Sequence, residues 1–399
     1  MPTCRSGMAT QAAASYRHRP SGARPSPSRA EPIVLSSCRG WPPANMLPAP
    51  RQNQRTGLVT GSGGGSVGSP PVPCTTACMD AVASAPLFRL GLVADAQFAD
   101  RCDWERPGEP GRTKRFRSAE PRLAEALDHF ARESSSLAAV VNLGDLFDGA
   151  NDDDLAAFRR REGGMAPQLA ATNRADLARM ADVLSAHDPG VPVYHCLGNH
   201  DLNLPRGEVL HALGSPAAFF SVLLSRGWRL VVLDTTELNP RFVETGTSGH
   251  DEAVAFVTSC REQLKPWSGG LGSTQVEWLK ATLAEAESQG ERVIVASHVP
   301  LAPAAAQHGD TSWNGEELAA LLEHSPAVAV CLAGHYHVGG YERRGLTHFV
   351  TLEAMLEAPA GSTAYAFLDV WPHEALLRGV GSVSNRRLQL LPTGVFTGI

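Results

Sequence analysis

Lysine is almost missing from this chain of 399 residues: Lys114, Lys265 and Lys280 are the only three, and arginine carries nearly all the positive charge. That bias reflects genomic composition and says little about function. Acids are scarce as well, but only at one end. Residues 1–86 hold eight Arg, no Lys and two acids (Glu31 and Asp80), a formal charge of +6, while the remainder carries −12. A charge balance that changes sign at one boundary reads as a tail and a body. No stretch reaches the ~20 uninterrupted apolar residues of a membrane span. The best, 217–233, is broken by Arg226, so no membrane partner is expected. Eight cysteines are too sparse for a disulfide scaffold. Cys4, Cys38, Cys74 and Cys78 sit in the tail, and Cys102, Cys196, Cys260 and Cys331 are scattered, as in a reducing compartment. The acidic body excludes a sequence-independent nucleic-acid binder, which needs a basic face. What remains is an enzyme-sized globular body, long enough to bury one large core.

The tail, 1–86, is rich in Ala, Ser, Pro, Gly and Arg and has no hydrophobic periodicity. It cannot bury enough apolar surface to offset its chain entropy, which predicts disorder. Its Arg-rich, Ser-rich, acid-poor profile is also that of an organellar transit peptide, which would place the protein in a plastid or mitochondrion rather than the cytoplasm. The alternative is a low-complexity extension or a start codon assigned too early, with Met79 as the true start. Gly63, Gly65 and Gly68 match G-x-G-x-x-G without the strand and helix that a dinucleotide site requires, so they read as a spacer.

The body alternates short apolar runs with helical patterns. The runs are 88–94, 137–143, 191–197, 230–233, 293–296 and 328–333, all non-alternating, as expected of strands buried on both faces. Helices are predicted over 120–134, 174–186, 274–288 and 315–324, the third capped by Ser273 or Thr274. Runs 347–352, 364–370 and 375–383 alternate more and predict antiparallel strands. The fold class is therefore α/β with layered sheets.

Five of the six buried runs end in residues able to ligate or catalyse. They are followed in turn by Asp95-Ala96-Gln97, Gly144-Asp145-Leu146-Phe147-Asp148, Gly198-Asn199-His200-Asp201, Ser297-His298 and Gly334-His335-Tyr336-His337. Open α/β folds place their sites at the carboxyl ends of strands. Taken singly, Asp-x-Gln is a common turn, Gly-Asp is ordinary turn chemistry and His298 could be a core histidine. Jointly and in this order they point to a site. Oxygen and nitrogen donors without Cys suit Mn²⁺ or mixed divalent ions better than structural zinc. There are too many donors for one tetrahedral ion, whereas two ions ~3.5–4 Å apart would use them all and suit in-line attack at phosphorus.

At these residues the body resembles the calcineurin-like metallophosphoesterases, whose motifs run D-x-H, G-D-x-x-D, G-N-H-D/E, H and G-H-x-H. Gln97 stands where most members have His. That departure resembles one branch, the Mn²⁺-dependent ADP-ribose/CDP-alcohol diphosphatases, as do 94–100, 115–118, 271–279, 312–314, 333–341 and 352–353. The resemblance implies a calcineurin-like phosphoesterase domain over 87–399, folded as a four-layer α/β/β/α sandwich with a dinuclear metal site at the strand ends. Asp95, Gln97, Asp145 and His337 would hold one ion, and Asp145, Asn199, His298 and His335 the other, with Mn²⁺ favoured over Fe, Zn or Mg. His200 would act at the leaving-group oxygen, oriented by Asp148. Expected substrates are ADP-ribose and CDP-alcohols such as CDP-choline. The alternatives are a phosphomonoesterase or cyclic-nucleotide phosphodiesterase on the same metals, or an inert metal-binding interaction subunit. Oligomeric partners are not legible.

For the substrate, Arg115 and Arg117 could meet a distal phosphate, or belong to a solvated basic loop with Arg112, Lys114 and Arg122. Trp313 could stack a base and Asn314 hydrogen-bond one, or both could be core. Phe98 and Tyr341 are candidates for the pocket wall. Asp152, Asp153 and Asp154 look like a cluster of ligands but read as the cap of a helix starting at Leu155.

Overall fold

A computed structural model describes residues 85–390, apart from 107, 110, 134–135, 150–168, 188–189, 226, 261–263 and 308. The expected tail up to residue 84 and the Asp152–Asp154 cluster lie outside the described residues.

Two six-stranded mixed sheets form the centre. In the first, β1 (Phe88–Val93), β4 (Leu137–Asn142) and β5 (Val193–His195) run parallel. They are continued on the other side of β1 by β12 (Ala364–Val370), β13 (Glu374–Gly381) and β14 (Arg386–Gln389), all antiparallel. In the second, β7 (Trp228–Val232), β8 (Arg292–Ala296), β9 (Val328–Ala333) and β11 (Thr347–Glu353) run parallel. β6 (Phe220–Ser225) and β10 (Val338–Arg344) close its two edges antiparallel. A short ribbon, β2 (Trp104–Glu105) paired with β3 (Thr113–Lys114), stands apart from both.

Three apolar clusters define the layers. Leu90, Leu92, Val141 and Leu368 from one sheet meet Leu230, Ile294, Val330 and Val350 from the other, which makes a sheet-on-sheet core. The outer face of the first sheet packs Val140 and Phe367 against α1 (Ala119–Arg132) and α2 (Leu169–Ser185), through Leu123, Phe130, Leu177 and Met180. The outer face of the second packs Val231, Val293 and Val295 against α5 (Ser273–Ser288) and α6 (Gly315–His324). A strand whose two faces both meet apolar layers has no polar side, and β8 and β9 are buried along their whole length. The order helix, sheet, sheet, helix is the expected α/β/β/α sandwich. No helix among the described residues is long and apolar enough to cross a membrane.

Several local expectations change. β11 forms an antiparallel hairpin with β10 but runs parallel to β9 on its other side, because it lies inside the second sheet. β6 and β10 were not foreseen as strands: one lies in an apolar stretch of uniform character, the other carries Gly339 and three charges, and both are edges. Two helices were also missed, α3 (Arg206–Ala212) and α4 (Ser248–Ser259). The N-cap of α5 is Gly272, not Ser273 or Thr274. Its first amides are satisfied from a distance, Gly272 donating to Glu237 Oε2 (3.0 Å) and Ser273 to Glu252 Oε1 (2.7 Å). Carboxylates at a helix N-terminus also answer the positive end of its dipole.

Candidate metal centre and its cavity

The loops after β1, β4, β5, β8 and β9 meet at one end of the sandwich. Backbone bonds lace the first two together: Asp95 N donates to Gly144 O (3.2 Å), Gln97 N to Asp145 O (2.9 Å) and Phe98 N to Leu146 O (3.1 Å). Asp145 and Gln97 are 1% exposed, and Asp95 and His298 fully buried. Four non-glycine residues among the described ones have φ in the left-handed region: Asp95 (51°), Gln97 (45°), Asp145 (54°) and His335 (67°). Such backbone costs of order 1–3 kcal/mol each and persists only where the surrounding structure over-determines it. All four are among the expected ligands.

Close approach of the loops depends on glycine. A Cβ on Gly198 would stand 2.0 Å from Asp145 Oδ1, and one on Gly144, itself at φ +96°, 2.6 Å from His298 Nδ1. Asp201, for which the sequence suggested no role, binds the loops together. Its Oδ2 accepts from Asp145 N and Gly198 N and its Oδ1 from Leu146 N, each at 2.9 Å. Burial and the Asp145 charge hold the Asp201 carboxyl above the usual range despite these donors. A fourth Asp in the G-N-H-D motif was visible in the sequence, but not that three amides from two loops would converge on it.

The side chains meet as a single group. His298 Nε2 lies 3.3 Å from Asp145 Oδ2 and 3.2 Å from both Asn199 Oδ1 and His335 Nδ1. Asp145, His298 and His335 can each offer an atom within 4.8 Å of the others. Beside them, Gln97 Nε2 lies 3.0 Å from Asp145 Oδ2 and 3.1 Å from His337 Nε2, and His337 Nε2 lies 3.5 Å from Asp95 Oδ1. An amide nitrogen facing a histidine nitrogen is an assignment of amide orientation, and the opposite flip turns Oε1 to the cluster.

Outer partners aim the rings. His298 Nδ1 donates to Leu143 O (2.8 Å) and His337 Nδ1 to Glu357 Oε1 (2.7 Å), which leaves both Nε2 atoms facing inward. That is how protein metal sites commonly orient imidazoles. Glu357 is in turn held by Arg106 (3.0 Å) and Arg112 (2.7 Å). Outweighing desolvation, His337 and these guanidinium groups keep its carboxyl well below the usual range. Its loop is fixed by buried Arg122, which donates to the carbonyls of Met355, Ala358 and Pro359 (2.8–2.9 Å).

The pocket draws positive charge. Against desolvation, which would lower it, the Asp145 carboxylate raises the His298 imidazole to about 9. Asp145 is correspondingly depressed despite its own desolvation. His335, half-buried beside His298, is pushed well below the ordinary imidazole value by desolvation and by the His298 charge. Two carboxylates, two amides and three inward imidazoles with no thiolate fit hard or borderline divalent cations.

A profile for calcineurin-like phosphoesterases matches residues 97–339. The chain belongs to the calcineurin-like phosphoesterase family. It is 30% identical to a manganese-dependent ADP-ribose/CDP-alcohol diphosphatase of Arabidopsis thaliana, over 77% of this chain and 98% of that protein. It is 26% identical to the human protein of the same name, over 75% of this chain and 92% of the other. A dimetal phosphatase from Danio rerio is similar in structure, with a TM-score of 0.66 at 25% identity, covering 77% of this chain and all of that one.

In this phosphoesterase five of the donors, Gln97, Asp145, Asn199, His335 and His337, floor a cavity of about 760 Å³. His200 lies on its wall. Its backbone N donates to Asp145 Oδ1 (2.8 Å), and its Nδ1 is held by the main-chain carbonyl of Asp148, with the Asp148 carboxylate further off at 3.6 Å. That carboxylate is paired instead with Arg101. The rim carries Arg106, Arg112, Lys114, Arg241 and Lys265, with Trp104, Trp267, Tyr336 and Phe242 among them.

None of the six expected substrate residues lines this cavity. Arg115 turns inward to the carbonyls of Thr113 (3.1 Å) and Ala358 (3.2 Å), and Arg117 turns out to Asp100 (2.7 Å). Trp313 stacks on Phe256, and Asn314 closes onto the Leu271 backbone (N and O at 3.3 and 2.9 Å). Phe98 is buried beneath α1 and α2 and bridges to Phe147. Tyr341 bonds His348 Nδ1 (2.9 Å). Of the rim cations, Arg112 and Lys114 were legible only as part of a basic loop: Lys114, at the end of β3, faces the cavity, while Arg115, just past the strand, turns to main-chain carbonyls.

Proposed function

We infer that this chain is a manganese-dependent ADP-ribose/CDP-alcohol diphosphatase, hydrolysing ADP-ribose to AMP and ribose 5-phosphate and CDP-choline to CMP and phosphocholine. The observation that carries the reading is near-full-length likeness to enzymes of that name, joined to a cavity whose floor of donors meets a cationic and aromatic rim. A nucleoside diphosphate derivative needs all three, and the volume falls in the usual range for such ligands.

We assign Asp95, Gln97, Asp145 and His337 to one ion and Asp145, Asn199, His298 and His335 to the other, with Asp145 shared. Two divalent cations so bound would neutralise non-bridging phosphoryl oxygens and activate water for in-line attack. The chain's own residues do the rest. Asp201 and the left-handed backbone hold the donors before substrate arrives, so no reorganisation is needed as charge develops. His200 keeps a proton on Nδ1 through the Asp148 carbonyl, so Nε2 is the atom that passes a proton to the departing oxygen. The catalytic domain is 87–399, and the tail is dispensable for hydrolysis.

The test is product release by the full chain loaded with Mn²⁺. AMP from ADP-ribose and CMP from CDP-choline, both abolished by chelator, are expected. His200→Ala should keep its bound Mn²⁺ and lose ~10²–10⁴-fold in turnover. Activity confined to p-nitrophenyl phosphate or 2′,3′-cyclic AMP would overturn the substrate assignment.

A further inference from the structure

We propose that Lys114 is a catalytic residue that neutralises the phosphate leaving from the pyrophosphate. The proposal rests on the diphosphatase reading and names a group within that site.

Lys114 ends β3 and projects into the cavity with its side chain only 14% exposed. Its ammonium lies 3.4 Å from the outward-facing end of the Gln97 carboxamide and 3.9 Å from Asp148 Oδ1. One contact is a neutral amide, and the other is a carboxylate already paired with Arg101. Of the other rim cations, Arg106 and Arg112 are committed to Glu357, Lys265 lies over the Trp267 ring and Arg241 over the Phe242 ring. Lys114 thus stands one amide from the donors Asp145 and His337, on the side where Asp148 holds His200.

That position matches what an anhydride demands. Water oxygen bonds to the attacked phosphorus, and the bond from that phosphorus to the bridging oxygen breaks. The electron pair and the bridging oxygen leave with the second phosphate, which takes a proton from His200 Nε2, while the proton lost by water passes to solvent. The leaving group already carries charge and gains more, unlike the alcohol expelled from a phosphate ester. A fixed ammonium beside the acid answers that charge without taking part in proton transfer, and donors aimed at developing charge are worth ~10²–10³ in rate.

Two measurements on the full chain with Mn²⁺ decide it. Lys114→Met should lose about 10²-fold in kcat/KM for ADP-ribose, mostly in kcat, with unchanged melting temperature and Mn²⁺ affinity. Lys114→Arg should recover about a tenth or more of the wild-type rate, since charge is what matters. By calorimetry, methylenediphosphonate should bind the Met variant about tenfold more weakly, with orthophosphate unaffected. Wild-type kinetics and diphosphonate affinity in Lys114→Met would overturn the proposal. So would a loss matched by an equal fall in Mn²⁺ affinity, which would make Lys114 a support for Gln97. A wild-type protein that releases no AMP from ADP-ribose would instead sink the diphosphatase reading, and the diphosphonate isotherm would still judge Lys114.

Discussion

Asp201→Asn removes one oxygen acceptor from a carboxylate that is fully buried and receives three backbone amides, each at 2.9 Å. The carboxamide oxygen can replace Oδ2 and keep the Asp145 and Gly198 amides. Its NH₂ then faces the Leu146 N–H, donor against donor. A buried amide left without an acceptor costs about 1–3 kcal/mol. Loss of the negative charge relieves repulsion with Asp145, whose charge helps raise the Asp201 carboxyl, and offsets part of that cost. The net expectation is a loss of about 1–2 kcal/mol, which for a body of this size lowers the melting temperature by a few degrees, ~2–6 °C. Because Asp145 sits at φ 54° and is anchored by this contact, Mn²⁺ affinity should fall as well, by about tenfold. Differential scanning calorimetry on the apoprotein and a Mn²⁺ binding isotherm read the two effects separately. A variant that melts and binds Mn²⁺ like wild type would show that these three bonds do not hold the loops.

Glu357→Gln should leave the fold intact but weaken Mn²⁺ binding ~10–100-fold, since His337 Nδ1 and two guanidinium groups lose their shared carboxylate; an unchanged isotherm would refute this. Arg117→Ala and Trp313→Phe should leave KM for ADP-ribose within about twofold, as both side chains lie outside the cavity. A KM raised tenfold in either would restore the sequence-based assignment. Asp176 is mostly desolvated, which raises its pKa to about 6 in the folded protein. An acid with a raised folded pKa is most stabilising when protonated, and stability is lost as pH rises from about 4 through 6. Asp176→Asn should therefore raise stability at pH 8 by about 1 kcal/mol after allowance for solvent screening, and change little at pH 4. Chemical denaturation at the two pH values checks the sign, and equal midpoints at pH 8 would count against it.

The motifs and their strands were legible because each signal is local. A run such as 328–333, apolar throughout and followed by Gly-His-x-His, needs only its own residues to declare a buried strand and what stands at its end. The two-sheet sandwich follows, since strands apolar on both faces need an apolar layer on each side. The edge strands β6 and β10 were less legible, because an edge needs no second partner and its sequence is under weaker constraint. The roles of Asp201, Glu357 and Lys114 were not legible for another reason. Each acts on groups remote in sequence: Asp201 on amides 55 and 56 residues away, Glu357 on Arg112 245 residues away, Lys114 on Gln97 and Asp148 from a separate ribbon.

By itself, then, the sequence determined the layers, the five loops that meet at their edge, and the chemistry of the donors, all of which depend on residue type and periodicity. Which cations face the substrate was decided only by tertiary structure. Arg115, Arg117 and Lys114 are neighbours in one basic segment, yet one turns to main-chain carbonyls, one to Asp100 and one into the cavity. Long flexible side chains go where a partner of opposite charge or an open carbonyl waits, and those partners are set by the packing of distant elements.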